Sequence, residues 1–317
     1  MQGVFLDTDT LNPAEMDFSA LEALMPWTFH PLTRPQERLA RLDGAQVVIT
    51  NKVVLDAATL KACPSLKLIC ICATGTNNVD LEAARELGIT VCNVSGYARA
   101  SVAQHTLTMM LSLATRWHLY DRDVKAGAWS RAEQFCLLDH PIMELAGKTL
   151  GLIGHGDLGR EVARLAEALG MQVLVAESFQ PHGGQSGRVS LAELLPQADV
   201  LSLHCPLTPK TDKLVNGSFI AQMKPGALLI NTARGGLIDE PALADALRSG
   251  HLGGAGLDVL SSEPPPADHP LLANDIPNLI ITPHNAWGTR ECRQRLLDGV
   301  VENIRQWQAG SAINVVS

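Results

Sequence analysis

The sequence predicts an α/β protein with two doubly wound parallel-sheet domains. Strand-like and helix-like segments alternate along most of the 317 residues, and a glycine-rich turn near residue 154 opens a second run of them. A largely apolar, helix-like segment at 101–127 separates the two runs. Alternation of this kind is typical of parallel strands whose sheet is covered by helices.

The first run has five apolar strand candidates with four helix candidates between them. The strands are VFLD, WTFH, QVVIT, LKLICICAT and ITVCNV, and the helices are DFSALEAL, RPQERLARL, DAATLKAC and NVDLEAARELG. We predict helix starts at Thr33 (before Pro35), Asp56 and Asp80, and a helix end at Gly88, because capping residues and glycine mark such boundaries. Segment 101–127 follows as one long linker helix, too interrupted by polar residues to span a membrane.

The second run starts at residue 149 with a strand, the glycine turn, an amphipathic helix and a strand that ends on Glu177. It continues through the strands DVLSLHC, ALLINTA, GGAGLDV and LIIT and the helices SLAELL, NGSFIAQM and DEPALADALRSG. Ser190 and Glu193 form a capping box at one of these helices. The last helix, at 289–310, carries an apolar stripe, so we expect it to return to the first domain and make that domain discontinuous.

The glycine turn predicts a dinucleotide site. Gly154, Gly156 and Gly159 fill the positions of G-x-G-x-x-G, which allow a tight turn, close approach to a pyrophosphate and tight helix–strand packing. Glu177 follows at about the ~20-residue separation expected of an acid that binds ribose hydroxyls and repels a 2′-phosphate, which favours NAD. His182 and Arg188 lie further along the loop and leave the use of NADP open.

Composition excludes several classes of protein. Hydrophobic residues make up 46% and charged residues 18% of the chain, and the formal charge of −8 argues against nucleic-acid binding. The N-terminus has no signal-peptide pattern and no apolar run reaches the ~18 residues of a membrane span, so we expect a cytoplasmic protein. Cys70 and Cys72 alternate within a strand as buried apolar residues; we predict no disulfide, metal ligand or zinc site.

Three polar residues follow strands of the second run, where ligands bind open α/β sheets. Arg234 precedes two glycines and has a guanidinium that can bind a carboxylate and a carbonyl together. His284 is suited to proton transfer near neutrality, and Glu263 to fixing the tautomer of such an imidazole. Each residue taken alone also fits an ordinary surface or structural role.

Together these motifs resemble the D-isomer-specific 2-hydroxyacid dehydrogenases over almost the whole chain. NTARGGLID, GLDVLSSEPPPADHPLL and TPHNAW match that family's arginine, glutamate and histidine motifs in order, and GLIGHGDLGR matches its cofactor turn. The glycerate dehydrogenase or hydroxypyruvate reductase branch is most similar. The resemblance implies a homodimer whose Rossmann-type domain (101–287) is inserted into a flavodoxin-like substrate domain (1–100 and 288–317).

The resemblance also implies roles for individual residues. His284 protonates the keto oxygen of a small 2-keto acid while NADH delivers hydride, Glu263 keeps His284 protonated, and Arg234 holds and polarises the substrate. Backbone N–H groups of Thr74, Gly75 and Thr76 bind the substrate carboxylate when the cleft closes. Asn51 and Lys52, which follow the strand QVVIT, face the same cleft and could contact the substrate, and a solvated surface lysine is an equally good interpretation of Lys52. The implied cofactor positions are Gly154, Gly156, Asp157, Leu158, Gly159, Glu177, Pro206, Thr211, Thr232, Ala233, Arg234, Asp258 and His284. Asp258 lies near the nicotinamide carboxamide in this interpretation, or caps a turn.

Several residues depart from the family pattern. Asn285, Ala286 and Trp287 follow the histidine where an aliphatic residue and glycine are common, which predicts a tighter or more polar nicotinamide pocket. Gln104 replaces a glutamate of the linker helix. The substrate stays open among hydroxypyruvate, glyoxylate, pyruvate and bulkier keto acids, and an NAD-responsive scaffold like the C-terminal-binding-protein corepressors is the alternative from another class.

Overall fold

The computed structural model describes residues 1–179 and 186–317, so His182 lies outside the described residues. In chain order the described strands are β1 Gly3–Phe5, β2 Trp27–Phe29, β3 Val47–Thr50, β4 Leu68–Ile71, β5 Thr90–Cys92, β6 Thr149–Ile153, β7 Gln172–Val175, β8 Val200–Leu203, β9 Leu228–Asn231, β10 Gly254–Leu257 and β11 Leu279–Ile281. The described α-helices are α1 Ser19–Glu22, α2 Arg38–Leu42, α3 Ala57–Lys61, α4 Leu81–Glu86, α5 Arg99–Thr115, α6 Trp117–Lys125, α7 Asp157–Ala168, α8 Leu191–Leu194, α9 Gly217–Ile220, α10 Glu240–Arg248 and α11 Arg290–Gln308.

The chain forms two compact units. The first comprises residues 1–98 and 287–317, and the second comprises residues 99–286. Each contains one parallel sheet, and the inserted arrangement of the two domains expected from the sequence is confirmed.

The first unit has the strand order β2-β1-β3-β4-β5, which is the flavodoxin-like order. Alternate residues of its strands point to opposite faces, as the pleat requires. Val47, Ile49 and Leu68 pack in one core with the apolar stripe of α11, whereas Val48 and Ile69 pack in a second core on the other face. The predicted return of the last helix to this domain is therefore what the structure shows.

The second unit has the strand order β11-β10-β9-β8-β6-β7, with all neighbouring pairs parallel. A parallel bridge between Ala176 and Val189 adds one more extended segment beside β7. With that segment included, the order is that of a Rossmann sheet, whose ligand crevice lies at the carboxyl ends of the strands. Helix α5 packs on this sheet and against α7.

Local boundaries agree with most of the predicted signals. Asp56 and Asp80 cap α3 and α4 by accepting backbone N–H groups of Thr59 and Ala83, and Ser190 caps α8 in the same way. Gly88 follows α4 with a left-handed φ of 68°. Among the described residues no helix is long and apolar enough to cross a membrane.

Two local predictions are wrong. The predicted linker helix is interrupted at Arg116, whose left-handed φ of 52° ends α5 and starts α6. Thr33 caps no helix: its hydroxyl donates to the Leu6 carbonyl at 2.5 Å, and a 3-10 helix begins at Pro35 instead, with Arg34 at the N-cap position.

Candidate active site

The glycine turn between β6 and α7 has the backbone geometry that a bound pyrophosphate needs. Gly154 has a φ of 98°, and a Cβ there would lie 2.5 Å from backbone atoms of His204. A Cβ on Gly159 would lie 2.3 Å from the Gly154 carbonyl oxygen, so this glycine permits close helix–strand packing. Around Gly156, the N-cap of α7, a Cβ would meet nothing within 4 Å. The open side of the turn therefore faces the free N–H groups of the helix.

A cavity of about 220 Å³ lies beside this turn. Glu177 is on its wall, just after β7, where a ribose-binding acid is expected. Arg188 lines the same cavity and donates a 3.4 Å hydrogen bond to the Ala176 carbonyl. Arg188, which could bind a 2′-phosphate, and Glu177, which would repel that phosphate, therefore line the same cavity.

The opposite wall of the cavity is the segment after β8. The Thr211 hydroxyl donates to the Pro206 carbonyl at 2.7 Å and accepts the Thr208 N–H at 2.8 Å, which fixes the loop. His204 contacts the Ser202 hydroxyl at 2.9 Å through Nε2, whereas its buried Nδ1 has no hydrogen-bond partner among the described residues. Burial lowers the pKa of His204 from 6.5 to about 4, so the ring is neutral near pH 7.

Asp157 and Leu158 are the first two residues of α7, at the predicted cofactor turn. The Asp157 carboxylate is exposed and forms an ion pair with Arg160 one turn later. An acid in the first turn is also favoured by the helix dipole. Both residues therefore lie at the glycine turn, at the N-terminus of α7.

His284 and Glu263 form a hydrogen-bonded pair at the carboxyl ends of the second sheet. The distance from His284 Nδ1 to Glu263 Oε2 is 2.6 Å, and the other carboxylate oxygen accepts the Leu260 N–H at 3.0 Å. Both side chains are partly exposed. The contact between Nδ1 and Glu263 orients the imidazole ring of His284.

Arg234 lies on the loop after β9, and its backbone is held by a residue that sequence reasoning missed. The Asn231 side chain is fully buried; it accepts the Ala233 N–H at 3.0 Å and donates to the Arg234 carbonyl at 2.8 Å. The Arg234 guanidinium is exposed and contacts the Ala233 carbonyl at 2.7 Å. Asn231 stands within the motif NTARGG. An asparagine directly after the apolar residues of a predicted strand is the sequence signal that could have identified it.

Asp258 holds the loop that carries His284. Its carboxylate is 2% exposed and accepts the Asn285 N–H at 2.9 Å, the Ala286 N–H at 3.0 Å and the Thr282 hydroxyl at 2.6 Å. The His284 N–H donates to the Asp258 carbonyl at 2.8 Å, and the left-handed φ of His284 is 52°. These contacts are those of the turn-capping role considered for Asp258.

Thr232 and Ala233, which precede the arginine, connect this loop to helix α5. The buried Thr232 hydroxyl lies 3.1 Å from that of Thr106, which in turn donates to the Val102 carbonyl. His105, the residue before Thr106, reaches the Thr282 hydroxyl with Nε2 at 2.9 Å. Helix α5 therefore supports both the arginine loop and the histidine loop, although its sequence shows only an apolar pattern.

In the first unit, the predicted substrate loops are fixed by hydrogen bonds. The Thr74 hydroxyl donates to the Val94 carbonyl at 3.0 Å, and the Thr76 carbonyl accepts the Val79 N–H at 3.0 Å, with Gly75 between them. Asp7, which the sequence analysis missed, accepts the N–H groups of Asn51 at 2.9 Å and Lys52 at 2.7 Å. Burial raises the pKa of this carboxyl, and the backbone hydrogen bonds oppose that shift.

The residues present fit a dinucleotide. The cradle at Gly156, the helix N-terminus and the acid at Glu177 together match the requirements of a bound NAD. No group of three or more potential ligands that could hold a metal ion occurs in the described part of the chain. Fold and site therefore define a dinucleotide-binding protein with a histidine–carboxylate pair at the strand ends.

Comparisons with known proteins identify the family. The model for the NAD binding domain of D-isomer specific 2-hydroxyacid dehydrogenases matches residues 107–286. The chain is 44% identical to a glycerate dehydrogenase of Methylorubrum extorquens (99% of this chain, 98% of that protein). It is 40% identical to a hydroxypyruvate reductase of Blautia hydrogenotrophica, with both chains fully covered. A solved protein of Thermus thermophilus superimposes with a TM-score of 0.85 at 38% identity, again covering both chains completely.

The chain belongs to the D-isomer specific 2-hydroxyacid dehydrogenase family, and its cofactor is NAD. The family resemblance, the fold class and the NAD cofactor expected from the sequence are confirmed. The roles of the individual site residues remain predictions. The structure brings Arg234, Glu263 and His284 to one edge of the second sheet.

Proposed function

We propose that this chain reduces a small 2-keto acid, with hydroxypyruvate as the preferred substrate and D-glycerate as the product. The observation that carries the proposal is the 2.6 Å contact between His284 Nδ1 and Glu263 Oε2 at the strand ends, on the sheet that also carries Arg234. The similarity to a glycerate dehydrogenase and to a hydroxypyruvate reductase over nearly the full chain supports this substrate.

In the proposed reaction His284 is the general acid. Bound NADH supplies the hydride that the carbonyl carbon of the substrate gains. His284 Nε2 gives its proton to the carbonyl oxygen, which becomes the hydroxyl of the product, and the neutral imidazole then takes a proton from solvent. Glu263 stabilises the imidazolium before transfer, and Arg234 binds the carboxylate and carbonyl through its planar guanidinium.

We assign the remaining predicted residues to binding. The cofactor is held by the glycine turn, Glu177 and the strand-end loops, through Gly154, Gly156, Asp157, Leu158, Gly159, Pro206, Thr211, Thr232, Ala233 and Asp258. The backbone of Thr74, Gly75 and Thr76 binds the substrate carboxylate, which makes the unit of residues 1–98 and 287–317 the substrate-binding domain. Oxidation of NADH in the presence of hydroxypyruvate, glyoxylate, pyruvate and bulkier 2-keto acids tests the proposal. Highest kcat/KM with hydroxypyruvate supports it; no turnover with any of them would instead favour a scaffold.

We also propose that the protein is a homodimer that works in the cytoplasm. Segment 117–142 presents large apolar side chains to solvent, among them Phe135 at 90% and Leu138 at 77% exposure, together with Trp117, Trp129 and Ile142. Several large apolar side chains exposed within one segment are typical of association sites, and a second copy of the chain is the occupant we assign. The described cysteines form no disulfide bond with one another, which fits a reducing compartment.

A further inference from the structure

Behind Glu263 lies a second buried polar cluster that the proposed reaction does not use. Glu240, the first residue of α10, is 7% exposed, and His269 is 6% exposed. The Glu240 carboxylate accepts the Ser261 N–H at 2.8 Å and the Ser261 hydroxyl at 2.5 Å, and His269 Nε2 lies 3.0 Å away. Buried charges persist when hydrogen bonds compensate their lost hydration, and these three contacts do so for Glu240.

The tautomer of His269 follows from its second nitrogen. Nδ1 accepts the Leu271 N–H at 3.3 Å, so it carries no proton. Nε2 must then carry the ring proton and donate it to Glu240. His269 therefore donates to the Glu240 carboxylate, which also accepts the N–H and the hydroxyl of Ser261.

Ser261 connects the cluster to the acid–base pair. It stands two residues before Glu263, whose Oε1 accepts the Leu260 N–H and whose Oε2 contacts His284. A Cβ on Gly235 would lie 1.9 Å from the Leu260 carbonyl carbon, so the loop after Arg234 packs directly on the same backbone. Fixing residues 260 and 261 thus fixes the backbone from which the Glu263 side chain projects.

We propose that Glu240, His269 and Ser261 are positioning residues for Glu263, and through it for His284. This inference rests on the proposed function, since it assigns the cluster to the same acid–base pair. A purely structural role would only join α10 to the following loop. In the positioning role, loss of the Ser261 hydrogen bond lowers kcat through the Glu263 carboxylate. In a purely structural role, any effect on kcat is independent of that carboxylate.

The experiment compares Ser261→Ala with Ser262→Ala, a matched change at the neighbouring serine, which is exposed like Ser261. We expect Ser261→Ala to lower kcat for keto-acid reduction by about threefold to tenfold, as the loss of one hydrogen bond allows, with NADH affinity unchanged. Ser261→Thr, which keeps the hydroxyl, should restore most of kcat, and Ser262→Ala should match the parent. In a Glu263→Gln background Ser261→Ala should have no further effect. Glu240→Gln should lower kcat by at least as much as Ser261→Ala.

A second readout needs no substrate. The hydrogen-bonded Nδ1 proton of His284 should give a strongly deshielded ¹H resonance, which can be assigned because it is lost in Glu263→Gln. This resonance should weaken or move in Ser261→Ala and should be unchanged in Ser262→Ala. An unmoved resonance with parental kcat, or the same loss of kcat in both backgrounds, would overturn the inference. If the resonance responds but the parent reduces no 2-keto acid, the positioning role stands and the proposed function fails.

Discussion

At the scale of single residues, the proposed chemistry depends on two loops that present His284 and Glu263 to each other. The left-handed backbone at His284 is maintained by Asp258, which binds the loop through its carboxylate and its carbonyl. Glu263 is oriented by the Leu260 N–H on its other oxygen. Because neighbouring backbone groups already hold His284 and Glu263 in position, neither side chain has to become ordered during the reaction.

Glu263→Gln tests whether this carboxylate stabilises protonated His284. The amide keeps the shape of the side chain but removes the negative charge, so the protonated imidazole is less favoured. Keto-acid reduction, which needs the proton, should then fall off at lower pH than in the parent, with alcohol oxidation less affected. Full pH profiles of kcat/KM in both directions measure this, and identical profiles would remove Glu263 from the site.

His204→Gln tests the buried imidazole at the cofactor cavity. The folded-state pKa of His204 is depressed from 6.5 to about 4, so the unfolded chain binds this proton first as pH falls. Stability from this residue is complete above pH 6.5 and declines towards pH 4, by up to about 3 kcal/mol. Urea unfolding at about pH 7 and about pH 4.5 should show a smaller loss of stability in the variant. Equal losses in both proteins would show that His204 is protonated as readily in the folded chain.

At the scale of elements, sequence pattern was sufficient where a local rule decides the structure. Strand alternation, the caps at Asp56 and Asp80, and the glycine turn at 154–159 depend on neighbouring residues, and the structure has them as predicted. The interruption of the linker helix at Arg116 was not predictable, since arginine is a good helix former and rarely adopts a left-handed φ.

The same distinction holds for the site. Arg234, Glu263 and His284 stand in motifs that can be recognised along the chain, whereas Glu240 and His269 contact partners that the fold brings to them. The Glu240–Ser261 contact, for example, joins residues 21 positions apart in sequence. A buried charge can be recognised only when the surrounding structure is known.

Gly235→Ala tests the packing of the arginine loop on the glutamate loop. A Cβ at Gly235 would lie within 2.1 Å of both carbonyl atoms of Leu260, and backbone atoms cannot give way as a flexible side chain can. We expect a loss of about 1–3 kcal/mol of stability and a clear fall in kcat. Gly217→Ala is the control, because its Cβ would meet only Ala242 at 4.0 Å in the first turn of α9. It should be neutral or stabilising by up to about 1 kcal/mol in thermal unfolding. Equal stability of the two variants would contradict the packing argument.

At the scale of the whole molecule, the first parallel-sheet unit contains both ends of the chain because α11 returns to the first sheet. Its apolar side chains complete a core with β1, β3 and β4, so residues 287–317 belong to the same compact unit as residues 1–98. The second unit has its own sheet and its own cores.

Phe135→Asp combined with Leu138→Asp tests the proposed dimer. Two charges in the most exposed part of segment 117–142 should disfavour burial of this surface against a second copy. Light scattering coupled to gel filtration should give a dimer for the parent and a monomer for the variant. Lys210→Asp, a charge change at an exposed residue outside the segment, should remain dimeric. A monomeric parent would rule out the proposal.

The central claim is that this chain reduces a 2-keto acid with Arg234 holding the substrate and His284 giving the proton. Its most direct test is kcat/KM for NADH-dependent reduction of hydroxypyruvate by the parent and by Arg234→Lys, with His284→Ala as the inactive control that still binds NADH. Lysine keeps the charge but loses the two-point hold, so we expect kcat/KM to fall on the order of 10- to 100-fold with NADH affinity nearly intact. Full kcat/KM in Arg234→Lys would contradict the account.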